Sequence, residues 1–148
     1  DGRTMYAADY SHGLVRIDLA SRTVAALRVP PRVTLLGIDG LYWDRGALVG
    51  VQNGVTPARV IRACLSADGR GVRALEVLDR NPAADEPTLA TVAGDSLFYV
   101  GTGAWEKFDD DGKRVAGTTL RPATVLGLSL SSGAGCHPEP RVRAQTGR

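Results

Sequence analysis

An all-β fold built from repeated antiparallel meanders is predicted by three features of the 148-residue sequence. Short runs rich in β-branched and aromatic residues are separated at close intervals by glycine-containing turns. No stretch sustains a helical apolar period: the nearest, RVIRACL at 59–65, is flanked by Pro57 and the turn DGRG, which favour a strand. Segments starting at Thr4, Ala47 and Ser96 superimpose as TMYAADYSHG, ALVGVQNGVT and SLFYVGTGAW, with offsets of 43 and 49 residues. Helix content is expected to be very low.

Taken in order, the first unit opens on the Asp1-Gly2 turn and runs through TMYAAD, LVRIDL (14–19) and TVAALRV (23–29). The second contains LLGIDGLYW, then ALVGVQ, RVIRACL (59–65), the Asp68-Gly69 turn and VRALEVL (72–78). Glycine supplies positive φ at such turns and aspartate bonds the neighbouring backbone. The third unit contains DEPTLATV and SLFYVG, and PARVIRACL at 57–65 aligns with PATVLGLSL at 122–130, so 124–130 is predicted to be the strand after SLFYVG. AWEKFDDDGKRVAGTTLR (104–121) then becomes an excursion at one mouth of the structure, and loops of that length are frequently functional. Beyond Leu130 the Gly-, Pro-, Ser- and Arg-rich SSGAGCHPEPRVRAQTGR lacks alternation, which predicts a disordered tail over 131–148.

Meanders that repeat every 40 to 50 residues are the signature of β-propeller blades, each four-stranded and each needing its neighbours to cover its faces. The prediction is a β-propeller fragment of about three blades, at 1–35, 36–85 and 86–130, the last incomplete. A sandwich or β-solenoid of about ten strands is the competing architecture, since regular turn spacing suits it too.

Composition narrows the partners. Eighteen Lys and Arg against sixteen Asp and Glu leave a formal charge of +2, and the basic residues are scattered except in RVRAQTGR, so nucleic acid is not an expected partner. The apolar runs fall far short of the roughly 20 residues that span a bilayer as a helix. The chain starts at Asp1 and enters a strand at once, which reads as a start inside a domain, with any signal peptide upstream. Cys64, in an apolar run, reads as a small buried hydrophobe, and Cys136 lies in the tail; the two do not form the spaced pattern of a disulfide framework, and the compartment stays open.

DGRTMYAADYSHGLVRIDL resembles the NHL and gluconolactonase-type blade: a DG turn, a YVAD-like strand, a polar loop and a strand containing Arg or Asp. GIDGL followed by ALVGVQNG resembles the blade of the regucalcin/gluconolactonase-like family that carries a Pro-Asp-Gly motif, with Ile38 where the family has proline. The resemblance covers residues 1–130 and corresponds to the C-terminal half of a six-bladed ring. It implies a funnel-shaped propeller with a divalent cation, often calcium, at the top of the channel, and hydrolysis of a small-molecule lactone or ester. It maps Asp39 onto a metal ligand, and it places the remaining ligands, a glutamate and an asparagine, on N-terminal blades upstream of this chain.

The residues themselves support both a chemical and a plain reading. Asp39 lies inside the apolar run LLGIDGLYW, where a carboxylate can face the channel and offer oxygen to a hard cation; the alternative is another Asp-Gly turn. Asn53 reaches the mouth or forms an Asn-Gly hairpin with Gly54. Glu86 and Thr88 in DEPTLATV line the same channel or mark a strand start beside Pro87, and His12 in YSHG is a mouth residue or a solvated one. DDDG at 109–112 lacks the alternating ligands of an EF-hand and reads as an acidic turn. No GxSxG, Cys/His pairing or HExxH supports serine, thiol or zincin chemistry. Two functions follow: a metal-dependent lactone or ester hydrolase in its complete form, with this chain alone inactive, or a non-catalytic propeller that binds a small ligand or protein.

Overall fold

The computed structural model describes residues 2–131 and Cys136. Among the described residues ten strands form three antiparallel sheets. The first sheet contains β1 (Thr4–Asp9), β2 (Gly13–Asp18) and β3 (Thr23–Ala26), in that order. The second contains β4 (Ile38–Asp44), β5 (Ala47–Gln52), β6 (Arg59–Leu65) and β7 (Val72–Asp79), again in chain order. The third contains β8 (Ala90–Ala93), β9 (Ser96–Val100) and β10 (Val125–Ser129), with β9 central. Among the described residues there is no α-helix, only a 3-10 turn at Trp105–Lys107, and no helix is long and apolar enough to cross a membrane. The expected tail at 131–148 lies, apart from Ser131 and Cys136, outside the described residues.

The turns form where aspartate and glycine direct them. Asp9 Oδ1 accepts the amides of Ser11 and His12, and Asp18 Oδ1 those of Ala20 and Ser21, so each hairpin is closed by the side chain that starts it. In the excursion Asp109 Oδ1 does the same for the amides of Asp111 and Lys113, which makes DDDG a self-capped turn. Asp39-Gly40 behaves differently: it lies within β4, where the register slips between Ile38 and Gly40 and Asp39 is the extra residue of a β-bulge. The third run of the first unit, predicted to reach residue 29, leaves its sheet after Ala26 because Arg28 pairs in parallel with Gly71 of the second sheet.

Alternation places the core on both faces of the second sheet. One face of β5 and β6 contributes Leu48, Ile61 and Ala63, which meet Leu14 of the first sheet. The opposite face contributes Val49, Val51 and Val60, which meet Leu97, Tyr99 and Leu130 of the third. Every residue of β5 is therefore buried, and side chains of this size stabilise by about 1.5–3 kcal/mol each when fully withdrawn from water. β4 forms the edge of its sheet and touches both β1 and β8, so the three sheets lie side by side with β4 central.

Polar groups join the layers. Arg62, 4% exposed on the face toward the third sheet, bonds Glu76 at 3.1 Å and the Leu130 carbonyl and lies 3.6 Å from Asp44. Arg45 links Asp44 to Asp95 in the β8–β9 turn, both at 2.9 Å. Tyr99 donates to Asp79 at 2.8 Å, and burial, reinforced by that bond, pushes its phenol above the ordinary range.

One expectation is corrected. Cys64 is buried as anticipated, but it is not a free thiol: it forms a disulfide with Cys136, and their Cα atoms lie 5.2 Å apart. The spacing concealed it because 72 residues separate the partners in sequence, and the packing of the third sheet against β6 brings Cys136 to that face.

Candidate functional site

The segments that start β4 and precede β8, together with those that leave β1, β5 and β9, come to one end of the sheets. This follows from antiparallel order, and hydrogen bonds tie the segments together there. Gly37 N–H donates to the Tyr10 carbonyl at 2.7 Å, and Gly54 N–H donates to the Gly37 carbonyl at 3.0 Å. Gln52, fully buried, donates to the carbonyls of Thr34 and Leu36 and accepts from Arg59 Nε at 2.7 Å. The connection entering β4 is therefore held on both sides.

Two glycines allow this approach. Gly37 has φ +67°, and a Cβ there would lie 2.4 Å from the Gly54 Cα, a distance that real carbon atoms do not tolerate. We expect Gly37→Ala to destabilise the fold by roughly 1–3 kcal/mol in urea unfolding. Gly46→Ala is the control, because φ is +87° there but nothing lies within 4 Å.

Asp39 and Asn53 meet at this end. The bulge leaves the Asp39 side chain exposed, and its Oδ2 accepts from Asn53 Nδ2 at 3.1 Å. Asn53 Oδ1 is buried without a hydrogen-bond partner, which is an uncommon state for an amide oxygen. Thr88 lies beside them through its backbone: a Cβ on Gly40 would sit 3.0 Å from the Thr88 carbonyl oxygen, so the chain passes close only because residue 40 has no side chain. The Thr88 amide itself is occupied by the Val100 carbonyl.

Glu86 and His12 are engaged elsewhere. Glu86 Oε2 accepts the Trp105 amide at 3.0 Å and so anchors the 104–121 excursion. His12 Nδ1 lies 2.9 Å from Asp9 Oδ1 on an exposed hairpin, and hydrogen bonds, that of the His12 side chain first, hold the Asp9 carboxyl below its ordinary range. Of the five candidates the structure thus joins Asp39 with Asn53, brings the Thr88 backbone alongside, and gives Glu86 and His12 local structural partners. Tyr10 and Gln52 were missed, since their role at the mouth depends on cross-sheet contacts that no local pattern records.

A carboxylate and an amide oxygen are both hard donors of the kind calcium takes; here the Asn53 amide nitrogen faces Asp39, and its unpartnered oxygen Oδ1 is the observation that makes the fit. It is a partial set: calcium takes six to eight oxygens, and among the described residues no group of three or more His, Cys, Asp or Glu gathers as a metal site. Compared with protein-family models, with curated proteins and with solved structures, the chain matches none.

Proposed function

We propose that the three sheets are consecutive blades of a gluconolactonase-like β-propeller, which in complete form is a divalent-metal-dependent lactone or ester hydrolase. The observation that supports this most is the Asp39–Asn53 pair: a bulge-aimed carboxylate bonded to an amide whose oxygen is buried and unsatisfied. The doubly covered second sheet supports the propeller part, because each blade buries its neighbour's face. The outward face of the first sheet carries Met5, Ile17 and Val24 in one cross-strand row, and that of the third carries Phe98 and Val125, apolar surface that further blades would cover.

In this reading Asp39 and Asn53 would hold the cation, with the Asp39 carboxylate neutralising part of its charge.

 The Asn53 amide orients the carboxylate through Nδ2, and its unpartnered oxygen would be the second donor available to the cation. When bound, the metal supplies Lewis-acid polarisation of the lactone carbonyl. The Gly37–Gly54 contact holds the two side chains in register, and Glu86 serves the mouth indirectly by fixing the start of the excursion. The Cys64–Cys136 disulfide supports an oxidising compartment.

Calcium titration of the protein by calorimetry tests this. Asp39→Ala is expected to weaken calcium binding at least tenfold, and Asn53→Ala less, with the far-ultraviolet circular dichroism of both unchanged. Equal calcium affinity in wild type and Asp39→Ala removes the metal assignment. The second reading, a non-catalytic binding module, is favoured by one specific observation: His12 and Glu86, the candidates suited to proton transfer, are held by Asp9 and the Trp105 amide. Calcium binding by the complete form without turnover of any lactone selects that reading.

A further inference from the structure

At the opposite end of the sheets from Asp39, a cleft of about 620 Å³ opens between the first and second sheets, lined among others by Thr4, Tyr6, Arg16, Trp43, Asp68 and Gly69. The volume falls within the range of about 300–1,000 Å³ typical of small-molecule sites. Alternation explains its walls: Tyr6 and Arg16 are cross-strand partners on the inner face of the first sheet, while Trp43 lies near the end of β4 and Asp68 in the β6–β7 turn.

Its centre is an aromatic platform. Tyr6 and Trp43 stack with ring centroids 6.2 Å apart and planes inclined by 14°. The Tyr6 hydroxyl donates to the Gly69 carbonyl at 2.9 Å, which pins the pair across the cleft. Trp43 nevertheless remains 58% exposed, an unusual state for the largest apolar side chain. Polar groups of both signs border it in held positions. Arg16 donates to Thr4 Oγ1 at 2.9 Å, and Asp68 accepts from Ser66 Oγ, the Arg70 amide and Arg28.

We propose that this cleft binds a neutral carbohydrate, with a pyranose ring lying on Trp43 and its hydroxyls bonded by Arg16 and Asp68. The chemistry selects that class. A flat apolar aromatic face complements the C–H face of a sugar ring, while a guanidinium offers paired donors and a carboxylate paired acceptors to adjacent hydroxyls. Arg16 lies 3.9 Å from Asp18 and Asp68 pairs with Arg28 at 2.7 Å, so the charges bordering the platform are balanced within the protein, and a neutral polyol fits beside them without adding an unpaired charge. Nothing in this inference depends on the metal assignment at the mouth.

Calorimetric titration of the full chain with maltotetraose, cellotetraose and chitotetraose tests it, with adenosine as a flat neutral comparison. At least one tetrasaccharide is expected to bind saturably and to change the fluorescence of Trp43, read in a Trp105→Phe background where it is the remaining tryptophan. Trp43→Ala should weaken that binding at least tenfold, and Arg16→Gln and Asp68→Asn several-fold each. The two polar variants carry the test if Trp43→Ala does not fold. Absence of binding by all three tetrasaccharides, affinity indifferent to these substitutions, or binding of adenosine alone overturns the proposal.

Discussion

Replacing Arg62 by alanine is expected to destabilise the protein by about 3 kcal/mol, the scale seen when one partner of a buried ion pair is removed. The guanidinium is 4% exposed and Asp44 8%, so neither charge is compensated by water if the other goes. Arg45 still reaches Asp44 at 2.9 Å, which keeps the expected loss at the lower end of that scale. The substitution also orphans the Leu130 carbonyl, which Arg62 holds at the junction of β6 with the third sheet. Urea unfolding measures the effect directly. The double variant Arg62→Met, Asp44→Asn should recover part of the loss, because it removes the buried charge along with its partner; a double variant as unstable as the sum of the singles contradicts the account.

Cys136→Ser should remove a comparable amount. The disulfide closes a separation of 72 residues, for which chain entropy gives roughly 4 kcal/mol and typical measured values run from about 2 to 4. The expected signature is specific: reductant lowers the unfolding midpoint of the wild type and leaves that of Cys136→Ser unchanged. A variant as stable as the oxidised protein shows that the bond constrains nothing in the unfolded chain that packing does not already hold.

The all-β class was legible because it depends on local information. Turn chemistry at Asp68-Gly69 and in DDDG (109–112) and the alignment of PARVIRACL with PATVLGLSL place strands without any knowledge of what packs on them. The position of Asp39 within an apolar run likewise separated it from the other Asp-Gly pairs, and it occupies a bulge. Contacts between sheets were not legible. The Cys64–Cys136 bond, the bond from Arg62 to the Leu130 carbonyl and the stacking of Tyr6 on Trp43 each join residues outside one another's unit, and periodicity within one strand is silent on which face meets which neighbour. Glu86 and His12 illustrate the converse: both are residue types suited to a channel or proton-transfer role, yet the nearest backbone amide or carboxylate engages each of them.

The contact between Gly37 and Gly54 has a kinetic meaning. Where two backbones touch with no side chain between them, opening of either loop disturbs the other, and a ligand of the proposed site would meet Asp39 and Asn53 already arranged. Little ordering entropy then opposes association, and affinity is governed by how fast the complex comes apart.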